Sequence, residues 1–311
     1  IDSIDIDSLT EKQKISYQIF RQDRINAIAG FAFPSHLIPI NQFYNLANQY
    51  AMLGSGDSAQ PFNDAEDYAN WAKRMHQIPV IFDQAIANMK EGVETGIVQP
   101  QVLIKKSITQ IRAQQVNDVK ESIFWRPIDQ FPDTLSEQQQ EAFRTQYANI
   151  LNNEVIPAYQ RLADYLEQEY LPHTRTKSFG IGQLPNGKAW YQHQIKVNTS
   201  IDISADKVHQ LGKQEVARIH DEMRQIMTEI DFQGDLKAFF NFMTNDEQFI
   251  YPSRQAMLED YRALRAKVDA RVPKLFNIFP QADYEVRPVE RFREQSASSG
   301  SYQSAPRGNT R

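Results

Sequence analysis

Apolar residues recur at intervals of three and four along most of this chain, a spacing that predicts helices rather than strands. Ile15, Ile19, Phe20, Ile25 and Ile28 make the first such run. Ser8 followed by Glu11 offers a capping box ahead of it, so a helix is expected over residues 10–29. Phe31, Pro34 and Pro39 then interrupt regularity, because proline lacks an N–H and restricts the residue before it. Asn63 and Asp64 reopen a helix over 65–76, and another is expected over 80–94 with Gly96 closing it. Pro100 opens the next, where Val102, Leu103, Ile104, Ile108 and Ile111 return at helical spacing. Short connections between these helices imply antiparallel neighbours.

Residues 124–132, with Pro127 and Pro132, read as a loop that docks through Phe124, Trp125, Ile128 and Phe131. Ser136 and Gln139 form a second capping box, followed by a long run through Phe143, Tyr147, Ile150, Leu151, Val155, Tyr159, Leu162 and Leu166. Pro157 lies inside that run, so a kink or break near Asn153 is expected, at about 3 kcal/mol if nothing compensates. Pro172 ends it. Gly180, Gly182 and Gly187 gather in 174–188, the longest irregular stretch expected before the tail, and Pro185-Asn186-Gly187 carries turn chemistry suited to positive φ. Ser204 precedes Val208, Leu211, Val216, Ile219, Met223 and Ile226, which share one helical face expected to be buried, in a helix ending near Ile230. Residues 236–243 and 253–272 read as two further helices. Tyr284 to Val289 is the best strand candidate, with Pro288 favouring an edge.

These elements predict a mainly α fold, a multi-helix array of long antiparallel helices with at most a small β element near 284–289. One helical domain or lobe over 1–295 is expected, with sub-lobes 1–132 and 133–295 as an alternative division. Residues 296–311, rich in serine and poor in apolar side chains, read as a flexible tail.

Composition narrows the function classes. Of 311 residues 41% are hydrophobic and 23% charged, ordinary values for a globular protein. A formal charge of −5 without a long Lys/Arg stripe gives no electrostatic footprint for nucleic acid. The absence of cysteine excludes disulfides, thiolate metal sites and a cysteine nucleophile. No apolar run approaches the roughly 20 residues needed to span a bilayer, and the acidic opening lacks the features of a signal peptide, which would have to precede Ile1. There is neither a G-x-S-x-G elbow nor a Walker-type phosphate loop.

The segment LPNGKAWYQHQIKVNTSIDISADKVHQLGKQEVARIHDEM, residues 184–223, carries the most information. Its turn, polar-aromatic stretch and amphipathic helix resemble the bacterial domain-of-unknown-function family 885, as do LTEKQKISYQIFRQDR, FAFPSHLIPINQF, GIVQPQVLIKKSITQI and ADYEVRPVERF. The resemblance implies the N-terminal half of an all-helical, gluzincin-like zinc metallopeptidase, often a lipoprotein, and hence a periplasmic or lipid-anchored location. It implies a zinc held by an HExxH helix, two histidines one turn apart with a glutamate that activates water. This chain contains no HExxH: none of His36, His76, His173, His193, His209 and His220 has a second histidine three or four residues away. The resemblance therefore places the catalytic residues and the zinc in a missing C-terminal half, the expected partner of this chain. An equally direct reading is a non-catalytic helical binding or interaction module.

Trp190, Tyr191 and His193 are candidate substrate-binding residues, since aromatic bodies with polar tips suit a peptide, and the resemblance adds Tyr302, whose tail would lead toward the zinc-bearing half; no catalytic or metal-binding residue is assigned here. Packing at a hinge would explain the first three as well. His209 and His220, eleven residues apart, are too far along a helix to share a metal, and Asp206 is placed to hydrogen-bond His209. Arg218 with Glu222 reads as a helix-surface pair. Arg287, Arg291 and Arg293 alternate with Glu285, Glu290 and Glu294, a pattern of ordinary solvation rather than a carboxylate site.

Overall fold

The computed structural model describes residues 1–43, 45–56, 58–280, 282–289, 294 and 300–302, and divides into two compact units, Ile1–Asp202 and Ile203–Arg311. Helix dominates both. Among the described residues the one β feature is an isolated bridge between Pro100 and Arg175.

In the first unit, α1 (Glu11–Gly30) begins one residue later than its pattern suggests. Its capping box is Thr10 with Gln13, not Ser8 with Glu11: the Thr10 N–H donates to Gln13 Oε1 at 2.9 Å and the Gln13 N–H donates back to Thr10 Oγ1. Ser8 is instead drawn into a 3-10 turn, Ile6–Ser8, whose own cap is Asp5. The two motifs overlap in sequence, and only one can own the first turn. No residue of α1 is buried, so its apolar run stays exposed.

Helix α2 (Leu46–Gly54) escapes the sequence reading because it buries Ala47, Asn48, Ala51 and Gly54, too small and too polar a face to register as apolar periodicity. α3 (Ala65–Met75), capped by Asp64, and α4 (Ile78–Thr95) follow. Pro79 sits in the first turn of α4, where its missing N–H costs nothing, and Gly96 at φ 74° ends the helix in a left-handed residue. α5 (Gln101–Arg112) starts from Pro100 as expected. The docking segment contains a 3-10 turn, Ile123–Trp125, and the single-turn α6 (Arg126–Asp129), with Phe124, Trp125 and Ile128 buried as expected.

α7 (Glu137–Ile150) opens on the Ser136/Gln139 capping box. The break expected near Asn153 takes the form of a π-helical segment, Leu151–Val155, which passes into α8 (Ile156–Asp164). The Ile156 N–H reaches back five residues to Leu151 O, so the chain widens one residue before Pro157. The device recurs. A second π segment, Tyr165–Tyr170, ends with the Leu171 N–H on Leu166 O, one residue before Pro172. An inserted residue in each turn accommodates the proline that cannot donate, and the helical rod continues. α3 packs on α7, while α4 and α5 pack on α8.

The core between these helices is aromatic and its hydroxyls are satisfied. Tyr159 donates to Ala47 O at 2.6 Å, Tyr147 to Tyr68 O at 2.9 Å and Tyr68 to Pro127 O at 2.8 Å. Trp71, Phe82 and Phe124 fill the space around them. The unit closes with α9 (Gly187–Thr199).

The second unit holds α10 (Ala205–Glu229), capped by Ser204, α11 (Leu236–Asn245) and α12 (Arg254–Asp269). A small aromatic cluster of Phe232, Phe239, Phe242 and Phe249 links the end of α10 to α11. The expected buried face of α10 is corrected here: Val208 and Met223 are half-buried, whereas Leu211, Val216, Ile219 and Ile226 are exposed. Periodicity reports which residues want cover, and in this unit α10 buries only Met227.

The strand expected at Tyr284 to Val289 does not form. Among the described residues the segment has no strand partner, and its side chains hold α12 instead: the Arg265 guanidinium lies 4.2 Å from the Tyr284 ring centroid, and Tyr284 donates to Asp269 Oδ1 at 2.9 Å. Alternation alone cannot supply the second strand that a ladder needs. Of the expected tail, residues 296–311, only 300–302 lie within the described residues.

Candidate functional site

The sequence-predicted aromatic residues sit at the head of α9, under the glycine-rich loop. Asn186 takes φ 54°, the left-handed conformation expected of the turn, and its side chain makes no capping bond. Gly187 serves a different end. A Cβ there would lie 2.1 Å from Ile181 O and 2.9 Å from the Gly182 carbonyl carbon, so the loop can press on the first turn of α9 only because that residue has no side chain.

Arg175 holds the loop from below. Its Nε donates to Val98 O at 2.9 Å and one terminal nitrogen donates to Gly180 O at 2.8 Å. Backbone bonds between Arg175 and both Gln99 and Gln101 complete the clamp. Among the described residues Arg175 has no carboxylate partner, and burial lowers its pKa, an effect that the nearby Tyr170 opposes.

Along α9, positions 190 and 193 fall about 60° apart around the axis and 191 turns away from both. Trp190 is buried against Leu37, Ile97 and Leu184. Phe33, from the loop after α1, stacks on Trp190 at 5.9 Å and meets the half-buried His193 ring at 5.2 Å. Trp190 and His193 therefore share one aromatic partner. Tyr191 is exposed on another face, and Tyr302, 81% exposed, belongs to the second unit. The arrangement buries Trp190 and leaves the Phe33 and His193 rings partly accessible beside it.

Phe33 and Arg175 were missed as site residues. Phe33 lies among loop prolines without periodicity, although it belongs to the FAFPSHLIPINQF stretch. Nothing local marks Arg175, which ties the carbonyl of Val98, distant in sequence, to that of Gly180 in its own loop.

The remaining candidates resolve simply. His209 is exposed and makes no hydrogen bond with Asp206, while His220 is half-buried with its ring 6.4 Å from that of Phe240. Arg218 bonds Glu222 at 2.6 Å and Glu215 at 2.9 Å. Arg287 pairs with Glu285 at 3.4 Å, whereas Arg291 and Arg293 lie outside the described residues. An open groove of about 620 Å³ in the second unit is lined by Arg262, Arg265, Ala266, Asp269, Glu285 and Val286. Arg265 is committed there to Asp269 and Asp283, so the groove is the seam between α12 and the extended segment. Among the described residues no group of three or more His, Asp or Glu side chains is placed to hold a metal ion.

Over residues 1–311 the chain matches the family described as "Bacterial protein of unknown function (DUF885)". A comparison with curated proteins finds no match. Its fold is similar to that of a solved structure described as "the putative lipoprotein from Colwellia psychrerythraea", with a TM-score of 0.75 and 22% sequence identity. The similarity covers 86% of this chain and 46% of that one, so this chain spans about half the length of that solved relative.

Proposed function

We propose, from the premise that this chain belongs to the bacterial family DUF885, that it is the N-terminal helical portion of a longer zinc-dependent peptidase and forms one wall of its peptide-binding cleft. The observation that carries the reading is the half-buried Phe33–His193 ring pair, backed by the buried Trp190, under a loop clamped by Arg175: an aromatic edge with one polar tip, built on a packed helix. Tyr191, one face over, and Tyr302, by its position, are the further substrate-binding candidates.

The residues of this chain do not fit a zinc site. There is no HExxH, and among the described residues no ligand group of the required size. Zinc thus rests on the family resemblance and would be held by polypeptide beyond this chain. No hydrolytic step is assigned to any residue here. The solved relative's description as a lipoprotein supports an extracytoplasmic, lipid-anchored location. Among the described residues no helix is long and apolar enough to cross a membrane.

The test uses the gene product at its full natural length. Elemental analysis is expected to find about one zinc per polypeptide. His193→Ala and Tyr191→Ala are expected to weaken binding of a fluorescent peptide library about tenfold, or 1.4 kcal/mol, without lowering the melting temperature. A metal-free protein with unchanged peptide affinity in both variants would overturn the proposal. Metal-free protein that still binds peptide through these residues would favour the second reading, a non-catalytic helical binding module, which the missing ligand group supports directly.

A further inference from the structure

Helix α12 leaves one apolar stripe uncovered. Its polar face makes the contacts within the chain: Arg265 pairs with Asp269 and Asp283, its guanidinium lies against the Tyr284 ring, and Arg262 Nε donates to Val286 O at 3.4 Å. A stripe of apolar residues lies about 100° round the helix from Arg262, Arg265 and Asp269, whereas Leu258, on the same side as those three, is half-buried. Met257, Tyr261, Leu264 and Val268 follow one another at intervals of four, three and four, within about 60° of arc around the helix. They are 43%, 51%, 51% and 46% exposed. A stripe so narrow and so regular is the pattern that packs against another helix, not the broader face that lies on a sheet or a loop.

We propose that this stripe is the docking seam for a helix of the same gene product lying outside residues 1–311, in the polypeptide that corresponds to the part of the solved relative this chain does not cover. That relative is more than twice as long as the stretch matched, so the fold has further polypeptide to supply the cover. α10 has the same unmet need, with Leu211, Val216, Ile219 and Ile226 exposed along its length. The charged face of α12 is already committed within the chain, which leaves burial of apolar area as the driving force for docking. The inference rests on the part of the proposed function that has this chain working with further polypeptide, and is independent of zinc.

The gene product, at its natural length and in its own host, is made with Tyr261→benzoylphenylalanine, and separately with Gln255→benzoylphenylalanine on the opposite side of α12 as the control. After irradiation the joined peptides are sequenced by mass spectrometry. The expected result is a cross-link from position 261 to a helical peptide of the same polypeptide outside residues 1–311, at least tenfold above the control. A cross-link from 261 into residues 1–311, whether of the same molecule or of a second copy, overturns the proposal, as does one to another protein or to lipid. A yield no higher than the control overturns it as well. Circular dichroism of the variant establishes that α12 persists. A zinc-free protein that gives the expected cross-link would remove the peptidase reading and leave the docking seam in place.

Discussion

At the scale of single residues, buried hydroxyls and one missing side chain set the tolerances of the first unit. Burial raises the pKa of Tyr68 to about 12 and pushes those of Tyr147, Tyr159, Tyr165 and Tyr170 up as well. An unfolded tyrosine ionises near pH 10. Between about pH 10 and 12 the unfolded chain gives up protons that the folded chain keeps, so the stabilisation from these groups is complete below pH 10 and falls as pH rises through that window. The urea midpoint should therefore drop between about pH 10 and pH 12, and less steeply in Tyr68→Phe; a flat profile would contradict the burial of these phenols. Gly187→Ala places a methyl group against Ile181 O and should cost about 1–3 kcal/mol of unfolding free energy in urea titration, with the near-ultraviolet signal of Trp190 altered. An unchanged midpoint would mean that the loop can lift away from α9. Of these residues the sequence made Asn186 and Gly187 legible as a turn. It could not show that the first supplies the positive φ and the second the close approach, because that division depends on what the loop touches.

At the scale of elements, local chemistry was readable wherever it is self-contained. The Ser136/Gln139 box, the Ser204 and Asp64 caps and the Gly96 stop need only their own helix, and each lies where its motif predicts. Thr10 in place of Ser8 and the absent strand at 284–289 were not readable, because each is decided by competition or by a partner. Pro157 shows the difference in energy. Taken in isolation it predicts a loss of about 3 kcal/mol, yet the π segment before it has already rearranged the bonds that a proline breaks. Pro157→Ala should accordingly change stability by less than about 1 kcal/mol in a denaturant titration. A gain of about 2 kcal/mol or more would show that the π turn does not relieve the proline.

At the scale of the whole molecule, the two units differ in what their helices enclose. The first buries a large aromatic core among α3, α4, α5, α7 and α8; in the second, Met227 and Phe239 are the buried apolar side chains among the described residues. Hydrogen exchange of the 311-residue chain should follow that contrast, with amides at the centres of α10 and α12 exchanging roughly 100-fold faster than those of α5 and α8. Equal protection would mean that the second unit finds cover on its own. The helical architecture was legible throughout, because periodicity reports the wish of a face to leave water. Whether the wish is granted depends on neighbours: Tyr147 and Leu162, in one periodic run, are buried, while Leu211 and Ile219, on a face expected to be buried, are not. The same holds for the site, where Trp190 and His193 could be nominated but their common partner Phe33 could not. The uncovered stripe of α12 bears finally on how such a protein is made in a cell. A greasy ridge that waits in the open during synthesis is a target for holdase chaperones and a nucleus for clumping. The yield of folded protein should then be governed less by the strength of the aromatic core than by how quickly that ridge is put out of reach.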